Sequence, residues 1–330
     1  MVTRKASHAG SWYTDNGKQL SQQLDDWLDA VPSSTTPIGT TSSQQGNVSI
    51  PTPNARAIIA PHAGYSYSGP AAAWAYKSAD WANAKRVFLL GPSHHHYLTG
   101  AATTACTAYA TPLGNLTIDT ALVQEIKEAW SLDTMTRRVD EDEHSLEMHL
   151  PYIYKMLELH NPAFQSSPSS VPLVPIMIGN TSPTTESHLG ALLAPHLSDP
   201  TSLFVISSDF CHWGSRFRYT YYQPPSGAPT HLKSASKIHR DWAIHESIAA
   251  VDQESMDAVE SGSHDAFLEQ LRESGNTVCG RHPIGVFMAA VEKLGVQGTG
   301  RMKFVRYERS GLVEDVGDSS VSYASAFAVL

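Results

Sequence analysis

Apolar and polar positions along the chain follow two rhythms, one of strands and one of helices. Six short runs have the length and β-branched content of buried strands: Ala55–Ala60, Val87–Leu90, Leu173–Ile178, Leu203–Ser207, Lys303–Tyr307 and Val321–Val329. Helical stripes separate them. Leu20, Leu24, Trp27 and Leu28 fall at i, i+4, i+7 and i+8, the apolar face of a helix. Leu122, Ile126, Ala129 and Trp130 form a second stripe, and Leu146, Leu150, Ile153, Met156 and Leu157 a third. Pro151 lies inside the third, so that helix starts near it or bends there. Ala266–Leu271 and Ile284–Leu294 complete the helical set. Strands alternating with helices predict an α/β sheet with helices on both faces. No internal repeat or sharp change of composition divides the chain, so residues 1–330 read as one domain.

Three polar stretches interrupt the pattern. Residues 32–53 are rich in Ser, Thr, Pro, Gly and Gln and read as a mobile surface loop, because so few apolar groups do not repay the entropy of ordering it. Gln165–Pro172 and Pro224–Pro229 are similar in kind. A hydrophobic share of 41% with 17% charged residues supports a full core. The net charge of −9 and the absence of Lys/Arg clusters argue against nucleic acid or an anionic membrane as partner. No apolar run approaches the roughly 20 residues of a membrane span, and Met1–Trp12 lacks the apolar core of a secretory signal. Three cysteines, Cys106, Cys211 and Cys279, cannot all pair within one chain, which favours reduced thiols and a cytoplasmic setting, with the nucleus as a second location.

Histidine changes the picture, with 16 copies concentrated near the ends of apolar runs. Ala55–Ala60 runs into Pro61-His62-Ala63-Gly64-Tyr65, Val87–Leu90 into Gly91-Pro92-Ser93-His94-His95-His96, and Leu203–Ser207 into Ser208-Asp209-Phe210-Cys211-His212-Trp213-Gly214. Ligands of open α/β sheets bind outside the carboxyl ends of the strands. Three exits that each carry histidine therefore meet at one place if their strands are parallel neighbours. Any one of these residues alone could simply cap a helix or bond a loop carbonyl; together they predict a site for Zn, Cu, Fe or Ni. Adjacent His95 and His96 diverge and do not both bind. Cys279, in Cys279-Gly280-Arg281-His282-Pro283, precedes a helix, where amide dipoles and Arg281 can hold a thiolate as ligand or nucleophile; a small buried thiol is the plainer alternative. Cys211, between Phe210 and Trp213, reads as packing, and Cys106 carries no signal. In the acidic run Asp140-Glu141-Asp142-Glu143-His144-Ser145-Leu146-Glu147-Met148-His149, His144 and Glu147 share a helix face and are candidate supporting groups or a proton relay. His149 lies too far around a regular helix to share a metal with His144. No GxGxxG follows a strand, and neither a Walker loop nor a GxSxG elbow is present, which removes support for nucleotide chemistry and serine hydrolysis.

These blocks, with Ser7-His8-Ala9-Gly10-Ser11-Trp12-Tyr13 and Asp318-Ser319-Ser320-Val321-Ser322-Tyr323-Ala324, occur in family order along nearly the whole chain and resemble the Memo family, mediators of ErbB-driven cell motility. The resemblance implies a fold like that of LigB-type non-haem iron dioxygenases, a mixed, largely parallel sheet flanked by helices. It also implies metal ligands at His62, His94 and Cys279, with Asp209 and His212 lining the same pocket as candidate catalytic groups. A thiolate in place of a carboxylate is a softer donor and favours copper; iron remains an option, and zinc a third. Copper- or iron-linked redox activity connected to signalling and motility is the implied function. The alternative is a signalling adaptor that binds a phosphotyrosine-type peptide or a cytoskeletal regulator, with Trp12, Tyr67 and Arg216 at the pocket.

Overall fold

The computed structural model describes residues 2–236, 238–239, 241–295 and 300–330. Nine strands make the central sheet: β1 (Ala55–Ala60), β2 (Arg86–Pro92), β3 (Ala101–Thr103), β4 (Asp133–Thr134), β5 (Leu173–Ile178), β6 (Ser202–Ser207), β7 (His212–Trp213), β8 (Lys303–Arg309) and β9 (Ser320–Val329). Their order is β7-β9-β1-β6-β2-β5-β3-β4, with β8 paired to β9. All six runs expected from hydrophobicity are strands. The central four are parallel, with Ser207 opposite Ala60, Ile206 opposite Leu90 and Ile178 opposite Pro92. β9 runs antiparallel to β1, β7 and β8, and β3 antiparallel to β5, so the sheet is mixed, with a parallel centre. Every residue of β5 and β6 is buried, as befits parallel strands covered on both faces.

The longer helices among the described residues are α1 (Gly17–Ala30), α2 (Tyr65–Ser78), α3 (Thr120–Trp130), α4 (Leu150–His160), α5 (Pro183–Leu197), α6 (Ile244–Glu260), α7 (His264–Ser274) and α8 (Arg281–Leu294). Asn16 caps α1 by accepting a hydrogen bond from Gln19 N (3.0 Å), and Leu20, Leu24 and Leu28 are buried. Pro151 sits in the first turn of α4, where a missing N–H is tolerated, so the third stripe starts there. Leu146 belongs to a separate turn, His144–Glu147. α2 packs on β1, β8 and β9 and carries α1 against it, whereas α8 packs on α5 and touches β2 and β6.

Residues 32–53 form a short hairpin of Ser34–Thr35 with Val48–Ser49 and a turn at Ser42–Gln45. Ile38 N donates to Phe304 O (2.8 Å) and Ser42 Oγ to Glu260 Oε1 (2.9 Å), which lays this segment along β8 and α6. Among the described residues no helix is long and apolar enough to cross a membrane.

Candidate metal centre

β1, β6 and β2 are adjacent and parallel, so their exits open onto one place. His62 follows β1, His94 follows β2 and Asp209 follows β6. Cys279 arrives from the other direction, immediately ahead of Gly280 and α8. A Cβ at residue 280 would overlap the Ser207 carbonyl oxygen and the Ser208 side chain, so glycine is what lets this segment reach the end of β6. As a result, one donor atom from each of His62, His94 and Cys279 lies within 4.8 Å of the others. The sulfur of Cys279 is 3.1 Å from His62 Nε2.

Proton bookkeeping shows which imidazole nitrogens are bare. Ser207 Oγ donates its single proton to Ser145 O (2.8 Å), so it accepts from His62 Nδ1 at 2.6 Å. His94 Nδ1 donates to Glu143 Oε1 (2.9 Å), whose other oxygen accepts from His94 N (2.6 Å). His212 Nδ1 donates to Phe210 O (2.9 Å). In its neutral form each ring thus keeps its proton on Nδ1 and presents Nε2 as a free donor atom, the arrangement that holds a metal-binding histidine in place. Burial, then the nearby charges of His94 and His144, pushes His62 well below the usual imidazole range and keeps it neutral.

Glu143 is the supporting carboxylate. Burial presses it upward, but the hydrogen bond and charge of His94, then His144, hold it at about 2. Glu147 does not reach His62 or His94. Its carboxylate accepts from Arg4 Nη1 (2.7 Å), His8 N (2.8 Å), His8 Nδ1 (2.9 Å) and Tyr13 OH (2.9 Å), which ties down the segment carrying Trp12. The shared helix face pairing His144 with Glu147 therefore misassigns the support: His144 faces the site and Glu147 faces the N-terminal segment. His144 stacks on His94 with ring centroids 4.3 Å apart, and its buried Nδ1 has no partner. Burial and then His94 lower its pKa to about 3.

Burial, then the Asp209 carboxylate, raises the Cys279 thiol well above its usual range, outweighing the amides of Asp209 and Gly280. Arg281 makes no hydrogen bond to the sulfur among the described residues, and its buried Nε has no partner. Burial at Cys279 favours the thiol over the thiolate, and a bound cation would displace its proton. Asp209, raised by burial against the opposing pull of His212, accepts from His62 N at 2.8 Å and belongs with His212 and Cys279 to a second group of converging donors. These donors fit a borderline-to-soft transition metal: imidazoles anchored through Nδ1, one sulfur, and the buried His144 Nδ1 left without a partner.

A cavity of about 660 Å³ opens above the site. His62, His94, His144, Asp209 and His212 line it together with Trp12, Tyr67 and Arg216. Trp12 and Tyr67 are 36% and 59% exposed, and the Arg216 guanidinium lies over Phe217 at 4.5 Å. Tyr323 and Ser320 of β9 complete the wall. Cys211 packs with Trp213 and Tyr219 in a satellite core, Cys106 lies in the main core, and His95 and His96 are exposed. Sequence reasoning missed Glu143 and Ser207; their signal was adjacency, one directly before His144 and the other the last residue of a strand.

A family model described as Memo-like protein matches residues 4–327. The chain belongs to the Memo family. It is 42% identical to Protein MEMO1 of Danio rerio and 41% identical to Protein MEMO1 of Homo sapiens, each over 326 residues, covering 98% of this chain and 97% of the relative. Protein memo-1 homolog of Caenorhabditis elegans is 40% identical over 98% of this chain and 81% of its own length. An uncharacterized protein of Escherichia coli K12, known from its crystal structure, aligns with a TM-score of 0.45 at 15% identity, covering 82% of this chain and 99% of that one. The Memo-family span takes in His62, His94, Asp209, His212 and Cys279.

Proposed function

We propose that this protein binds one transition-metal ion, copper or iron, through His62, His94 and Cys279, and uses it for redox chemistry in the cytoplasm, linked to signalling and cell motility. The observation that carries the reading is the approach of these three donors to within 4.8 Å, from segments far apart in the chain. Two imidazoles and a thiolate suit copper better than a hard cation, and the soft sulfur favours its reduced state. When bound, such a metal would supply one-electron exchange. The chain's own residues orient the donors: Ser207 and Glu143 hold the imidazoles, His144 stacks on His94, and Asp209 and His212, on the cavity wall, would accept or deliver protons there.

Anaerobic titration with copper(I) against a competing chelator, with elemental analysis, tests this. One ion per chain is expected, with His62→Ala and Cys279→Ser losing it and His95→Ala keeping it. Full stoichiometry and affinity in Cys279→Ser would contradict the assignment.

A second reading rests on the rim. Exposed Trp12 and Tyr67 beside Arg216 offer aromatic faces and a guanidinium to a phosphotyrosine-type peptide of a signalling partner or cytoskeletal regulator. A pure adaptor would keep partner binding after removal of metal by chelator; a metal-dependent protein would not need the partner at all to turn over.

A further inference from the structure

Behind the pocket, on the side away from the cavity, lies a polar pair that metal binding does not use. Tyr76 on α2 and His149 are both buried, and Tyr76 OH lies 2.6 Å from His149 Nδ1. His149 Nε2 has no partner. A phenol–imidazole pair with an unsatisfied nitrogen is an expensive way to fill a core that phenylalanine and leucine would fill as well, and an orphaned buried group of this kind calls for a chemical reason. The His149 ring stands 6.5 Å from the His62 ring at 88°. On its other side Tyr76 stacks on Tyr152 at 4.5 Å and 8°. Tyr152 meets Tyr65 at 5.6 Å, and Tyr65 meets Trp27, a half-buried residue of α1, at 5.9 Å. An unbroken file of aromatic rings therefore joins the candidate metal ligand His62 to the edge of the protein.

We propose that Tyr76 is a redox-active tyrosine that, with His149 as proton acceptor, draws oxidising equivalents away from the metal pocket and passes them along this file toward Trp27. The inference rests on the metal reading above. The co-reactant is a peroxide. Reduction of one hydrogen peroxide to two waters takes two electrons and two protons: a bound metal would supply one electron, Tyr76 gives the second, and both protons come from solvent. As Tyr76 gives up its electron its O–H bond breaks, and the proton crosses to His149 Nδ1 and forms an N–H bond there. This requires the tautomer with hydrogen on Nε2, where the buried N–H finds no acceptor. The next two phenols have no such base. Tyr152 OH donates to Gly69 O (2.7 Å) and Tyr65 OH to Met148 O (2.7 Å), and neither carbonyl can take a proton. They are transit points, whereas the Trp27 indole can carry the hole near solvent, where a cellular reductant can fill it.

The test compares wild type, Tyr76→Phe and, as a control away from the file, Tyr222→Phe. Each is loaded with copper(I), its metal content measured, mixed with hydrogen peroxide and freeze-quenched for electron paramagnetic resonance, and its oxidised residues are then mapped by peptide mass spectrometry. Wild type and Tyr222→Phe should give a tyrosyl radical and oxidation at Trp27. Tyr76→Phe should lose the radical and move oxidation onto His62, His94 and Cys279. If Tyr76→Phe does not fold, His149→Asn keeps an acceptor for the hydroxyl without a base and should lose the radical likewise. Full metal loading with the same radical and the same oxidation map in these variants overturns the relay alone. A wild-type protein that takes up no metal overturns the metal reading and the relay with it.

Discussion

His94 shows how much of the site is decided atom by atom. Its ring is oriented by one carboxylate, Glu143, which accepts from both Nδ1 and the backbone N–H and stays ionised because those donors outweigh its burial. Removing that charge should loosen the ring without removing a ligand. Glu143→Gln is expected to weaken metal binding by roughly 10–100-fold with His94 still present, read by competition titration; unchanged affinity would show that His94 does not need this partner. At this scale the sequence was partly legible. His62 and His94 stand out because Pro and Gly fix the turns around them at strand exits. Glu143 was hidden among Asp140, Glu141 and Asp142, four carboxylates alike in composition, and helical spacing selected Glu147 instead. Its true neighbours, Arg4, His8 and Tyr13, come from the far N-terminus, which no local pattern reports.

Among the elements, strands were read well and helices unevenly, for a physical reason. A buried parallel strand is a short continuous apolar run, so β1, β5 and β6 announce themselves. α2 has no apolar stripe to find: it is rich in Ala, Gly and Ser, contains Pro70 and buries most of its surface, with Tyr67 left exposed. α5 is similarly disguised by Pro195. The loop-to-helix junction at Cys279 is the element on which the site depends most, because Gly280 has no room for a side chain. Gly280→Ala must push the segment off the end of β6. A loss of about 1–3 kcal/mol of stability by denaturant unfolding is expected, together with weaker metal uptake by the folded fraction; a variant with both properties intact would mean that the approach of Cys279 is not tightly set.

The whole molecule supplies what neither residues nor elements contain, namely adjacency. The order β9-β1-β6-β2 places three exits side by side, α8 brings in the sulfur, and the N-terminal segment adds Trp12 to the cavity wall. Strand order was an assumption when read from the chain, because runs of similar hydrophobicity do not say which of them pair. The tethering of Trp12 was invisible for the same reason, since Arg4, Asp140 and Glu147 form a buried ion-pair network across most of the first half of the chain. X-ray absorption at the metal edge of the copper-loaded protein tests the central claim most directly. A first shell of one sulfur and two imidazole nitrogens is expected, with the sulfur lost in Cys279→Ser. A shell of nitrogen and oxygen alone, or an identical spectrum from Cys279→Ser, would contradict it.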